Sequence, residues 1–225
     1  MKPFNPISTY RIQFHKAFGF SDLESIIPYL QELGIRSIYA SPIFKAVPGS
    51  MHGYDVTDAN LINPEIGTLE QLYAISNMLH EAGISWIQDI VPNHMALHTD
   101  NNWLYDVLQN GVQSQYAHYF DIDWNHPDAQ AKLMLPILET TADDTIEQGK
   151  LELAVNGTAF QLCYGDWMLP VSQTGGDMIT EAAKESMRAG EQAAMLPQLN
   201  EDKAFLQQLL DAQHPLSPEH NEMLF

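Results

Sequence analysis

Two short clusters in the first hundred residues carry side chains able to hold a ligand. Asp89-Ile90-Val91-Pro92-Asn93-His94 follows from an apolar run, and an aspartate in an otherwise buried strand is expensive to bury unless paired. Polar side chains leaving the carboxyl end of a parallel strand stand where α/β proteins bind ligands. The second cluster, His52-Gly53-Tyr54-Asp55, lies in a loop further upstream. Tyr54 offers a face on which a sugar ring can stack, and Gly53 permits close backbone approach. His52 and Asp55 can hydrogen-bond hydroxyl groups or fix the loop. Each cluster also has a purely structural reading: Asp89 and His94 tying down their own loop, and His52–Asp55 forming an Asx-type turn with an exposed aromatic.

Other constellations fail on their chemistry. Asp121-x-Asp123-x-Asn125 opens like a calcium loop, but His126 replaces the turn glycine and Lys132 the bidentate acid. His94 and His98 are four apart, yet no glutamate follows His94 as a zinc protease requires. Glycine-rich phosphate and dinucleotide motifs and the Gly-x-Ser-x-Gly elbow do not occur. Met134, Met168, Met178, Met187 and Met195 read as fillers of core gaps. No metal and no cofactor is expected.

The elements that must position the two clusters read as an alternating series. Tyr10–Phe14 alternates in character and reads as a strand. Ser21 and Glu24 make a capping box for a helix whose apolar face is Leu23, Ile26, Ile27, Leu30 and Leu33, with Gly34 as the stop. Ile35–Ala40 is a second strand, closed by Ser41-Pro42, and a long loop follows. Thr68 and Gln71 form another capping box, Leu72, Ile75 and Leu79 an apolar face, and Gly83 a stop before a third strand, Ile84–Val91. Strands and helices in series imply a parallel sheet, doubly wound or closed into a barrel. Beyond Val91 the rhythm breaks: residues 92–135 read as loop and short helix. Leu151–Val155 and Thr158–Leu162 flank the hairpin signal Asn156-Gly157, residues 177–195 and 201–213 read as helices, and His214–His220 as a polar tail.

With 225 residues, 45% of them hydrophobic, the chain can bury a real core. Its 10 Lys and Arg against 29 Asp and Glu give a formal charge of −19, which disfavours nucleic acid and anionic lipid as partners. A neutral sugar meets no such repulsion. One cysteine, Cys163, cannot form an intrachain disulfide, and no apolar run of 18 residues or signal-like start occurs. A cytoplasmic location is expected.

Together the clusters carry a resemblance. Asp-x-x-x-Asn-His at a third strand, after a Gly-Tyr-Asp loop at the second, resembles the first signature region of glycoside hydrolase family 13, the α-amylase clan. Ser8–Gln13, Tyr39–Phe44, Pro48–Val56, Asp89–Met95 and Tyr119–Trp124 are similar to its maltooligosyltrehalose synthase branch, densely over about 8–138 and more thinly to about His214. The resemblance implies a partial (β/α)8 TIM barrel, namely its first three strand–helix units, with a mixed α/β insertion after the third strand. It divides the chain into 1–92 as barrel, 93–213 as insertion and 214–225 as a tail outside the family pattern.

In function it implies rearrangement of the reducing-end α-1,4 bond of a maltodextrin to an α,α-1,1 bond. Tyr54 would stack at the sugar subsite beside that bond and His94 would bind its hydroxyls. Asp89 would orient neighbouring polar groups, Asn93 and Asp55 would support the loops, and His52 would be a further sugar contact. The family's nucleophile lies in Gly-x-Arg-x-Asp, but the only arginines here are Arg11, Arg36 and Arg188, none in that pattern. No catalytic residue is therefore assigned. The chain is expected to be an amino-terminal part, inactive alone, arising by truncation, a split gene or a frameshift; a separately encoded C-terminal part is its partner in the split-gene case, with maltodextrin as the ligand. Alternatives are another glucan hydrolase of the clan, a non-catalytic glucan-binding or assembly module, or a poorly folding remnant.

Overall fold

In the computed structural model, which describes residues 6–127, 133, 135–157, 159–184 and 192–212, the chain divides into two compact units, Met1–Asn101 and Asn102–Phe225. The first unit runs β1 (Thr9–Ile12), α1 (Phe20–Glu32), β2 (Ser37–Ala40), β3 (Phe44–Ala46), β4 (Val56–Ile62), α2 (Leu69–Glu81) and β5 (Ser85–Gln88). Strands β1, β2 and β5 form a parallel sheet in that order, with Thr9 opposite Ser37 and Ser37 opposite Ser85. Helices α1 and α2 supply the connections, as the alternation of apolar runs predicts. Phe14, Phe20, Leu23, Leu30, Ile38, Ile75 and Leu79 are fully buried in one core, each contributing about 1.5–3 kcal/mol. Trp86 stacks on Phe14 at 5.9 Å.

The box on α2 forms as expected: Gln71 N donates to Thr68 Oγ1 at 3.3 Å, and Thr68 N donates to Gln71 Oε1 at 2.8 Å. The one expected on α1 does not. The helix starts earlier, with Gly19 as its N-cap and the Asp22 carboxylate accepting from Gly19 N at 2.7 Å. Packing overrides the local signal, because Phe20 is completely buried and its N–H donates to Ile66 O at 2.7 Å. A Cβ on Gly19 would lie 2.5 Å from that same carbonyl oxygen, so no serine-like cap fits.

The expected loop between the second strand and α2 contains an antiparallel ribbon, β3 with β4. Its register shifts twice, between Phe44 and Lys45 and between Lys45 and Ala46, so no clean alternation betrays it in sequence. The third parallel strand ends at Gln88, which leaves Asp89 just past its tip.

The second unit contains α3 (Asn102–Asn110), 3-10 turns at Gly111–Gln113 and Ala117–Tyr119, α4 (Ala142–Glu147), β6 (Leu151–Asn156), β7 (Ala159–Tyr164), β8 (Trp167–Pro170), α5 (Gln173–Lys184), α6 (Gln192–Glu201) and α7 (Lys203–Ala212). The expected hairpin forms, but Asn156 pairs with Ala159, so the turn lies one residue later than Asn156-Gly157. Strand β8, unforeseen, adds an antiparallel edge to β7. Ile146, Leu151, Leu162, Ile179, Leu206, Leu209 and Leu210 bury together as this unit's own core.

Of the expected 177–195 helix, α5 begins earlier and α6 begins at Gln192; residues 185–191 lie outside the described residues. The expected 201–213 helix is α7, opened by Asp202, whose carboxylate accepts from Phe205 N at 3.0 Å. The expected tail also lies outside the described residues. No helix among the described residues is long and apolar enough to cross a membrane.

Candidate functional site

Register alone begins to assemble the site. Arg11 on β1 pairs with Tyr39 on β2, and Tyr39 pairs with Ile87 on β5. Side chains alternate along a strand, so Asp89, two residues past Ile87, returns to the face shared by Arg11 and Tyr39. Asp89 N donates to Ala40 O at 3.0 Å, continuing the ladder just beyond the strand.

One carboxylate oxygen organises the cluster. Asp89 Oδ2 accepts from Arg11 Nη1 at 3.0 Å, Tyr39 OH at 2.9 Å and Tyr54 OH at 2.5 Å. Tyr54 OH in turn accepts from Arg11 Nη2 at 2.7 Å, while the guanidinium lies 4.3 Å from the centre of the Tyr39 ring. Gln13 joins the edge by accepting from Arg11 at 3.5 Å and donating to Met51 O at 3.0 Å.

The electrostatics follow from these bonds. Tyr54 above all holds the Asp89 carboxyl below the usual aspartate range; burial opposes this, and Arg11 and Tyr39 add to it. For Arg11, partial burial works against the charge, but the bonds to Asp89 and Tyr54 outweigh it and raise its pKa. The bond to Asp89 raises the Tyr39 phenol. The carboxylate thus stays ionised and the Tyr39 phenol stays protonated, a state suited to orienting hydroxyl groups.

Tyr54 reaches Asp89 because its loop folds back tightly. Gly53 adopts φ +74°, and a Cβ there would sit 2.7 Å from Pro42 O. Its N–H donates to Ser50 Oγ at 3.1 Å, and Ser50 donates to Asp55 Oδ1 at 2.5 Å. Asp55 is therefore turned into the loop as a support. His52 Nδ1 accepts from Tyr54 N at 3.0 Å, and the Asp55 carboxylate 3.6 Å away lies beyond hydrogen-bond reach.

Of the six residues singled out in sequence, Tyr54 and Asp89 meet directly, and His52 and Asp55 shape the loop carrying Tyr54. Asn93 and His94 are exposed and have no polar partner among the described residues. Their segment nevertheless runs beside β4, where Ala96 N donates to Val56 O at 2.8 Å, two residues after Tyr54. Sequence reasoning left Arg11, Tyr39, Gln13 and Ser50 unassigned. A signal for the first two existed: Arg11 is the charged residue of its strand and Tyr39 the large polar residue of the next. Among the described residues no group of three His, Cys, Asp or Glu is placed to hold a metal ion.

A short parallel sheet with a polar cluster at its carboxyl-end rim defines an α/β protein, and the chain belongs to the α-amylase family, whose catalytic domain matches residues 16–146. Its parallel strands are the first part of that family's (β/α)8 barrel. Within the family it is similar to maltooligosyl trehalose synthases. A putative maltooligosyl trehalose synthase of Mycobacterium tuberculosis is 40% identical over 181 residues, 77% of this chain and 22% of that protein. A solved glycosyltrehalose synthase superposes with a TM-score of 0.76 at 34% identity, over 93% of this chain and 26% of its own. Neopullulanase 2 of Thermoactinomyces vulgaris is 40% identical over 113 residues, only 48% of this chain and 18% of that protein. The chain spans about a quarter of the length of the trehalose-synthase relatives, matching their amino-terminal part.

Proposed function

We propose that this chain provides the sugar-holding rim of a maltooligosyltrehalose synthase. The observation that carries the reading is the bond from Tyr54 to Asp89, which joins two loops from neighbouring strand tips into one surface. On that surface Tyr54 stacks against a glucose unit of a malto-oligosaccharide, held in place through its hydroxyl by Asp89 and Arg11. His94 and Asn93, exposed on the adjacent segment, bind hydroxyls of the same unit, and His52 presents Nε2 beside them.

The reaction moves the reducing-end glucosyl linkage from α-1,4 to α,α-1,1 with retention, which needs a carboxylate nucleophile and a carboxylic acid/base close together. Gly-x-Arg-x-Asp is absent from the 225 residues, so both groups come from a C-terminal part, joined in cis or supplied in trans. The functional boundary falls after Pro92, residues 93–213 forming the insertion and 214–225 a tail, and the protein works in the cytoplasm.

A second reading, another glucan hydrolase of the clan, is favoured by the neopullulanase likeness. That likeness covers about half the chain, whereas the trehalose-synthase likeness extends into the second unit, which supports the first reading. The test is product analysis by sugar chromatography after completing the chain with a C-terminal part. Maltopentaose should give a non-reducing product, and Tyr54→Ala and His94→Ala should each lower kcat/KM by about a hundredfold, roughly 2.7 kcal/mol. Reducing sugars as the only products would favour the hydrolase, and unchanged turnover in both variants would remove the subsite assignment.

A further inference from the structure

An aromatic cluster in the second unit plays no part in the rim described above. Trp103, on the first turn of α3, lies nearly parallel to two tyrosines from the 3-10 segment: Tyr116 at 5.5 Å and 11°, and Tyr119 at 5.2 Å and 26°. The two tyrosines are 6.1 Å apart, so both rings flank the indole rather than forming a column through it. His118 adds a fourth ring, 4.4 Å from Tyr119.

The segment carrying these rings is pinned from beneath. Asp106 accepts from Ser114 Oγ and from Asn110 Nδ2, Ser114 Oγ accepts from Tyr116 N at 3.0 Å, and Tyr119 N donates to Tyr116 O at 2.9 Å. The rings are thus held without using their polar edges. Trp103 Nε1, the hydroxyls of Tyr116 and Tyr119, and the His118 ring nitrogens have no polar partner among the described residues. Tyr119 is 61% exposed.

We propose that this cluster is a second carbohydrate-binding site, which takes a neutral glucan chain. Flat apolar faces ringed by unused donors match a sugar, whose ring presents C–H groups on its faces and hydroxyls around its edge. The net charge of −19 argues for an uncharged occupant over a phosphorylated or nucleic-acid one. Preorganisation through Asp106 limits the ordering that binding would otherwise require. The choice of an α-1,4 glucan as occupant rests on the function proposed above.

The test is titration of the 225-residue chain with maltoheptaose, read by calorimetry and by tryptophan fluorescence, with Tyr119→Ala and Tyr54→Ala in parallel. Removing Tyr119, already exposed, leaves the core intact; circular dichroism confirms this. Binding should persist in Tyr54→Ala and weaken by about tenfold in Tyr119→Ala. Trp103→Phe should abolish the fluorescence response to sugar. Maltoheptaose binding that is absent in the parent, or undiminished by Tyr119→Ala, or lost wholly in Tyr54→Ala, would overturn the second site. A change in self-association in Tyr119→Ala without any sugar binding would mark the cluster as a protein interface and overturn it as well. The product analysis of the completed enzyme is independent of all these outcomes, so the two readings can fail separately.

Discussion

Replacing Gly53 by alanine tests whether the loop carrying Tyr54 is built as argued, and Gly34 provides the comparison. Both glycines have a left-handed backbone, φ +74° at Gly53 and +79° at Gly34. An L-residue there costs about 1–2 kcal/mol, partly offset by a less flexible unfolded chain. At Gly34 that is the whole cost, because a new Cβ meets nothing within 4 Å. At Gly53 the Cβ would lie 2.7 Å from Pro42 O, a backbone atom at the tip of β2 that cannot rotate away.

Relieving that contact moves the loop or the strand tip, at about 1–3 kcal/mol more. Gly34→Ala should therefore lose about 1 kcal/mol and Gly53→Ala about 2–4 kcal/mol. Trp86 is the only tryptophan in residues 1–101, so urea unfolding followed by its fluorescence, with Trp103, Trp124 and Trp167 changed to Phe, isolates the first unit. The shifted loop should also carry Tyr54 off Asp89, so Gly53→Ala should raise the Asp89 pKa, readable by carboxyl NMR. Equal losses for the two variants, with an unmoved Asp89, would refute the close approach of the Gly53 loop to Pro42.

Three further outcomes follow, one from the same carboxylate and two from the second unit. The Asp89 pKa is depressed in the folded state below its unfolded value of about 3.9, so its stabilising share is fully present above roughly pH 4 and is lost as the pH falls through the folded value. The stability gap between the parent and Asp89→Asn, measured by urea unfolding at stepped pH, should therefore be constant near neutrality and close below about pH 4; a gap widening in acid would reverse the reasoning. Leu209→Ala should cost about 2–5 kcal/mol, seen as lost hydrogen-exchange protection in α7, because Leu209 is fully buried; Lys203→Ala, which breaks only the exposed pair with Glu147, should cost under about 1 kcal/mol.

Much of the fold was legible because local rules and packing agree there. The Thr68–Gln71 box, the glycine stops at Gly34 and Gly83, and the apolar faces of α1 and α2, apart from Leu33, which lies exposed at the end of α1, each follow from spacing of 3.6 or from a backbone angle only glycine takes easily. Where tertiary demands compete, the reading fails. Ser21 and Glu24 look like a cap, but burial of Phe20 and its bond to Ile66 O draw the helix back to Gly19. The β3–β4 ribbon escaped notice because bulges erase its alternation, and β8 because four residues are too few to establish a period.

By itself the sequence offered side chains that could meet a sugar, Tyr54, His52, Asp55, Asp89, Asn93 and His94, with Asp89 at the end of one expected strand and Tyr54 in the loop after the expected strand before it. It could not select the partners of Asp89. Arg11, Tyr39 and Tyr54 are brought to one carboxylate oxygen by the register of three parallel strands and by a loop turned on Gly53, across as many as 78 positions of chain. Contacts of that separation are set by how helices pack the strands into line, and the identity of either partner alone carries no trace of them.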